Sequence, residues 1–156
     1  RVAIEMEQHG RTFYESLSLG CGHVEIAALA TALAKDEKEH LEVFERMLNA
    51  LPPHQRGPKL TEKELFAAAT DLRKKIMPNA RTVHKAVLAS DLLKTLDMAI
   101  EMETEAVAFY SGLASESNGL DNAVLTGIAN EEKAHLKMLR DVRNQLSTSI
   151  PEPLNR

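Results

Sequence analysis

The sequence predicts an all-α protein, a four-helix bundle in which a long connector joins two helical hairpins. Three observations predict this fold. Four long segments repeat apolar residues every three or four positions, which is the period of an amphipathic helix. A segment near the start, AIEMEQHGRTFY, recurs 96 positions later as AIEMETEAVAFY. A second helical segment follows each copy, so we expect the two halves of the chain to fold as equivalent hairpins.

The bulk composition favours one globular domain over residues 1–156. The chain is 44% hydrophobic and carries a net charge of −4, which argues against disorder and allows a substantial core. The only tight basic cluster, Arg73–Lys75, is interpreted as a solvated helix face, so we expect no nucleic-acid partner. The longest run of apolar and small residues, 26–34, is too short to span a bilayer, so we expect no membrane partner.

The chain contains a single cysteine, Cys21. One cysteine excludes a disulfide within the chain and any metal site built from several thiolates. This usage fits a reducing compartment, and we expect a cytoplasmic location.

The first hairpin is predicted over residues 1–51. Its first helix runs over 2–19 and is stopped by Gly20–Gly22, because glycine readily takes the backbone conformation that ends a helix. Its second helix runs over 24–51 and is stopped by Pro52–Pro53.

The second hairpin is predicted over residues 90–146. Its first helix begins after Ser90, the predicted N-cap, and ends near Asn118–Gly119. Its second helix covers 121–146, and the proline-containing tail 147–156 is predicted to be extended.

The connector is predicted over residues 52–89 and opens with a loop. Thr61 and Glu64 form the pattern of a capping box, so an extra helix is predicted from there to about Met77, before Pro78. Residues 79–89 fit either a short helix or an irregular crossover. One long connection between two short-turn hairpins is typical of bundles in which the second hairpin faces the first.

In both copies of the repeat a glutamate interrupts an apolar stripe. Glu7 lies in the stripe that includes Gly10 and Tyr14, and Glu103 lies in the matching stripe that includes Tyr110 and ends at Ala114. Spacings of three and four residues place each stripe on one helix face. We therefore expect both glutamates to point inward, each with a tyrosine two turns further along.

Both second helices carry a Glu-x-x-His motif. Glu37 pairs with His40 and Glu132 pairs with His135, and these motifs begin 30 and 29 residues after the inward glutamate of their hairpin. Residues three apart share a helix face, so each pair can reach one point. With 17 Glu and six His in the chain, less than one such pair is expected by chance, so two at matching places indicate a function.

Four carboxylates and two imidazoles on inward faces need a counter-charge. An unpaired buried carboxylate costs several kcal/mol, whereas two divalent cations would balance four carboxylates. Carboxylate oxygen and imidazole nitrogen together suit iron or manganese, with zinc as a possible substitute. The alternative is a bundle with buried polar residues and no metal. The predicted metal ligands are Glu7, Glu37, His40, Glu103, Glu132 and His135.

These motifs resemble the rubrerythrin branch of the ferritin-like superfamily, over essentially the whole chain. The resemblance implies a ferritin-like bundle with two iron ions, assembled as a homodimer or a larger oligomer. It also implies redox chemistry with hydrogen peroxide or oxygen. Carried over by position, the six predicted ligands would hold the iron, and Tyr14 and Tyr110 would form hydrogen bonds behind them in support of catalysis.

Two features depart from the rubrerythrin pattern. The single cysteine means that these 156 residues hold no rubredoxin-like iron domain, so electrons would come from a separate donor protein such as a rubredoxin. Ala106 stands where many rubrerythrins carry an additional glutamate. The expected function is a di-iron oxidoreductase that reduces hydrogen peroxide. The alternatives are an iron-handling ferroxidase that uses oxygen and a structural bundle that metal stabilises.

Overall fold

The computed structural model describes residues 1–56 and 92–149, apart from the side chain of Ser149. Within these ranges the chain is almost entirely helical and contains no strand, which confirms the all-α prediction. The four long helices are α1 (Val2–Gly20), α2 (Val24–Ala50), α3 (Leu92–Glu116) and α4 (Gly119–Ser149). A single turn of 3₁₀-helix, Pro53–Gln55, follows α2.

The chain divides into two compact units, Arg1–Leu88 and Ala89–Arg156. In the first unit α1 packs against α2, and in the second unit α3 packs against α4. Each unit therefore contains one helical hairpin, as the internal repeat predicts. The assignment of residues 1–156 to one domain stays a prediction.

The turn of the first hairpin lies where the glycine-flanked cysteine predicts it. Cys21 has extended backbone angles, and its N–H donates to the carbonyl of Leu17 at 2.9 Å. His23 is also extended, and it is the N-cap of α2. The Sγ atom of Cys21 accepts a hydrogen bond from the N–H of His23 at 3.4 Å.

A side chain from the following loop caps the C-terminal end of α2. Leu51 is extended because the next residue is a proline. Arg56 folds back and donates to the carbonyls of Leu51 at 2.8 Å and Asn49 at 2.9 Å. These bonds satisfy acceptors that the last turn of a helix leaves open. The Arg1 side chain donates to the Arg56 carbonyl at 3.2 Å, which fastens the start of α1 to this loop.

The turn of the second hairpin depends on a glycine in the left-handed region. Gly119 has a φ of +61°, a conformation that favours glycine over residues with a Cβ. The Asn122 side chain donates to the carbonyl of Ala114 at 2.7 Å, which joins the two sides of the turn. On the outer surface Arg143 of α4 donates to Asp97 of α3 at 2.9 Å.

Helix α4 is longer than the sequence predicts. It begins at Gly119 and continues to Ser149, so the predicted extended tail 147–156 is wrong for residues 147–149. The hydroxyls of Ser147 and Thr148 donate to carbonyls one turn earlier, at 2.8 Å and 2.9 Å. Because these hydroxyls are satisfied within the helix, two polar residues at its end do not stop it.

Several predicted features lie outside the described residues. These are the Ser90 N-cap, the extra helix of the connector from Thr61 to Met77, the stretch 79–89, the basic cluster Arg73–Lys75 and the tail from residue 150 onward. The long connector and its helix therefore stay predictions.

Both hairpins bury aliphatic and aromatic side chains on the faces that the apolar spacing selects. In the first hairpin the least exposed of these are Tyr14, Leu17, Ile26, Ala30 and Leu33, and in the second they are Leu96, Ala99, Tyr110 and Leu139. None of the described helices is apolar over a length that would cross a lipid bilayer.

Candidate metal centre

The first hairpin gathers three ionisable side chains in its interior. Glu7 comes from the buried face of α1, and Glu37 and His40 come from adjacent turns of α2. They are 2%, 5% and 3% exposed. We call these three residues the first triad. The helical stripe places Glu7 inward, and the spacing of three residues places Glu37 and His40 side by side.

The side chains of the first triad are close enough to share one ion. Nδ1 of His40 lies 3.4 Å from Oε2 of Glu7 and 4.0 Å from Oε2 of Glu37. One ligand atom from each residue lies within 4.8 Å of the other two.

The second hairpin repeats the arrangement. Glu103 comes from α3, and Glu132 and His135 come from α4, with exposures of 2%, 1% and 3%. Nδ1 of His135 is hydrogen-bonded to Oε2 of Glu132 at 3.0 Å and lies 4.0 Å from Oε2 of Glu103. We call these residues the second triad. Its ligand atoms also lie within 4.8 Å of one another.

These distances fit the ligands of a divalent metal ion. For an octahedral ion bound at about 2.1 Å, adjacent ligand atoms are about 3.0 Å apart and opposite ones about 4.2 Å apart. Within the two triads the Nδ1 atom of the histidine lies 3.0 to 4.0 Å from an Oε2 atom of each glutamate. Two carboxylates and one imidazole form a donor set typical of iron and manganese sites. Both triads are therefore compatible with metal binding.

Apolar side chains enclose each Glu-x-x-His motif along its own helix. A buried apolar residue lies one turn before the glutamate and another lies one turn after the histidine. These residues are Leu33 and Phe44 in α2, and Ile128 and Leu139 in α4. Such flanks keep water away from the carboxylates, which strengthens electrostatic interactions at the triads.

Several carboxylates on the outer faces have a different environment, because they pair with basic side chains. Lys35 donates to Glu39 at 2.9 Å, and this hydrogen bond lowers the pKa of Glu39 and raises that of Lys35. Lys137 and Asp141 form a similar pair at 2.6 Å. The triad carboxylates instead gather around an imidazole in the interior.

The two tyrosines occupy equivalent buried positions. Tyr14 and Tyr110 are both 0% exposed. Tyr14 packs edge-on against Phe13 with ring centres 5.2 Å apart, and Tyr110 packs against Phe109 at the same distance. Each lies seven residues, about two turns, beyond the glutamate on the same helix. Their hydrogen-bonding role toward the triads stays a prediction.

Two features of the interior are not predicted by the sequence: the burial of Thr95 and the neighbour of Gly10. Thr95 in α3 is 0% exposed, although threonine in a helix gives no signal of burial by its type alone. Gly10 of α1 lies directly against the Glu37 carboxylate. Its place in the buried stripe was visible in the sequence, but its neighbour across the hairpin was not.

The structure thus places all six predicted ligands in buried positions, three within each hairpin. That the six residues hold two ions in one centre stays a prediction. Each hairpin buries one glutamate from its first helix and a Glu-x-x-His motif from its second helix. The chain is therefore a helical protein with two clusters of carboxylates and imidazole that suit metal ions.

The comparison with protein families agrees with this class. The rubrerythrin family matches residues 1–143, and the chain belongs to this family. No curated protein and no solved structure matched the chain.

Proposed function

We propose that this protein is a di-iron oxidoreductase of rubrerythrin type that reduces hydrogen peroxide with electrons from a separate donor protein. The observation that carries the proposal is the repeated buried triad, with its two carboxylates and one imidazole in each hairpin. Membership of the rubrerythrin family supports iron as the metal. The two hairpins would then form one ferritin-like domain with a shared centre.

In this proposal the six side chains of the triads hold two iron ions. Their four carboxylates balance the charge of two divalent ions, so the buried centre is neutral overall. His40 and His135 would each bind through one ring nitrogen, and the other nitrogen would need an acceptor to fix the orientation of the ring.

The bound iron would supply the two electrons that, with two protons, convert hydrogen peroxide into two water molecules. The protein would supply the position of the reactants and a dry environment. Leu33, Phe44, Ile128 and Leu139 would limit the entry of water. The hydroxyls of Tyr14 and Tyr110 would orient the ligand carboxylates by hydrogen bonds.

Three further proposals concern the partners and setting of the reaction. A rubredoxin or a similar protein would deliver the electrons, because these residues contain only one cysteine and thus no paired CxxC motif. We also propose a homodimer or a larger homo-oligomer, as the family resemblance implies. The single cysteine fits a reducing compartment such as the cytoplasm.

A stopped-flow comparison tests the peroxide reaction. Protein loaded anaerobically with two Fe(II) per chain is mixed with hydrogen peroxide or with oxygen, and ferric absorbance is followed. Faster oxidation by peroxide, together with sustained peroxide consumption when reduced rubredoxin is added, would support the proposal. Faster oxidation by oxygen that continues as more Fe(II) is added would identify a ferroxidase instead.

A matched pair of variants controls this experiment. Glu132→Ala removes a buried carboxylate of the second triad, whereas Glu131→Ala removes an exposed carboxylate from the neighbouring position of the same helix. We expect only Glu132→Ala to lose iron and the peroxide reaction. If Glu132→Ala retains both, its triad does not hold the metal.

A further inference from the structure

Gly10 lies in the interior of α1, on the side that faces the carboxyl group of Glu37. A Cβ atom added at Gly10 would lie 3.2 Å from Cδ and 3.3 Å from Oε2 of Glu37. Carbon atoms in comfortable contact are about 3.5–4.0 Å apart. Any larger residue at this position would therefore press directly on the carboxylate.

Glycine is not what the helix itself favours here. In a helix interior glycine is less stable than alanine, because it loses more backbone freedom on folding. The described helices contain other interior glycines, Gly112 and Gly127, where an added Cβ would meet nothing within 4 Å. At Gly10, by contrast, an added Cβ would crowd the side chain of Glu37.

The second hairpin has no glycine at the equivalent position. The repeat offset of 96 residues pairs Gly10 with Ala106. The two Glu-x-x-His motifs also differ in geometry. Oε2 of Glu132 lies 3.0 Å from Nδ1 of His135, whereas Oε2 of Glu37 lies 4.0 Å from Nδ1 of His40. The carboxylate that lies against glycine is the one further from its own histidine.

We propose that Gly10 is a positioning residue for Glu37. By leaving space on α1, it lets the Glu37 carboxylate lie away from His40, so that the first triad differs from the second. This inference rests on the proposed function, because it takes Glu37 to be a metal ligand. An alanine at position 10 would shift the carboxylate by a few tenths of an ångström, within the range that matters for a preorganised site.

Cobalt titration of the whole chain tests the proposal. Metal-free wild type, Gly10→Ala and Gly127→Ala are titrated with Co(II) and followed by visible absorption. Circular dichroism gives the helix content and melting temperature of each metal-free protein. Gly127→Ala is the matched control, because it makes the same change in a helix where the new Cβ meets open space.

We expect both variants to keep the wild-type helix content without metal, and Gly127→Ala to melt no lower than wild type. Gly10→Ala should bind Co(II) about tenfold more weakly, as is typical when a residue that orients a metal ligand is changed, and its visible bands should shift. Gly127→Ala should keep the affinity and the bands. In a Glu37→Gln background, Gly10→Ala should have no further effect on Co(II) affinity.

Three outcomes would overturn the positioning role. The first is wild-type affinity and bands in Gly10→Ala. The second is an undiminished effect of Gly10→Ala in the Glu37→Gln background. The third is loss of helix content in Gly10→Ala, which would show that the added Cβ disrupts the helix backbone and not only the position of the Glu37 carboxylate. Failure of the proposed function would look different, because wild type and Gly127→Ala would then bind no Co(II) either.

Discussion

Removal of metal should lower the melting temperature of this protein substantially. Each triad places two carboxylates and one imidazole in a buried position. If a divalent ion occupies each triad, it offsets the repulsion between the carboxylates. A ligand that binds only the folded state stabilises that state, so chelation should remove this contribution.

The size of the effect follows from the spacing within a triad. The ligand oxygens of Glu7 and Glu37 lie within 4.8 Å of each other. Two unit charges at that distance repel by about 3.5 kcal/mol at an effective dielectric constant of about 20. For a protein of this size, 1 kcal/mol corresponds to about 2–4 °C. We therefore expect a fall of about 7–14 °C for each triad that loses its ion.

Thermal unfolding followed by circular dichroism measures this shift. The protein is melted at pH 7 after loading with Fe(II) under anaerobic conditions, and again after treatment with a chelator, with metal content determined in both samples. A matched pair of variants on α2 provides the control. Glu37→Gln removes a triad carboxylate, whereas Glu39→Gln removes one that is paired with Lys35 on the outer face.

The metal-dependent shift should shrink in Glu37→Gln and stay at its wild-type size in Glu39→Gln. An unchanged melting temperature after confirmed loss of metal would refute the charge-balance reasoning. Equal shifts in both variants would show that the ion is bound elsewhere.

The remaining predictions concern the tyrosines, the core and the glycines. Tyr14→Phe and Tyr110→Phe should keep the wild-type content of bound iron but slow the peroxide reaction by about tenfold, and retention of the full stopped-flow rate would argue for packing alone. Leu33→Ala, at a side chain that is 0% exposed, should lower the free energy of unfolding by about 2–5 kcal/mol; a smaller loss in urea unfolding would contradict its place in a tight core. Gly119→Ala should cost about 1–2 kcal/mol, because alanine is strained at a φ of +61°. Gly127→Ala, in a helix interior with open space around it, should instead stabilise the folded protein by about 0.5–1 kcal/mol. Equal effects of the two glycine changes in thermal melts would contradict the left-handed backbone at Gly119.

Much of the site could be predicted from the sequence because helical periodicity determines which residues face inward. Glu7 and Glu103 interrupt apolar stripes, and both are 2% exposed in the structure. The spacing of three residues between Glu132 and His135 predicted that they share a face, and their side chains are hydrogen-bonded at 3.0 Å. These relations lie within single helices, so local geometry is enough to predict them.

Helix boundaries were predicted less well where the stop signal was weak. The two glycines after Leu19 end a helix through their backbone freedom, and the prolines after Leu51 end one for steric reasons. At both places the structure differs from the prediction by one residue. At the end of α4 the sequence offers only serine and threonine. Their hydroxyls bond back to the helix, so it continues to Ser149.

The sequence by itself determined the all-α class, the paired hairpins and the identity of the buried ionisable residues, because these depend on periodicities within each helix. The tertiary structure decided how the side chains of adjacent helices meet. It placed Gly10 opposite the Glu37 carboxylate, so close that an added Cβ would lie 3.2 Å from Cδ of Glu37. It also set His40 nearer to Glu7 than to Glu37, and His135 nearer to Glu132 than to Glu103. Such distances follow from how closely two helices approach and which rotamers fit between them, and neither quantity is encoded in the spacing of residues along one helix.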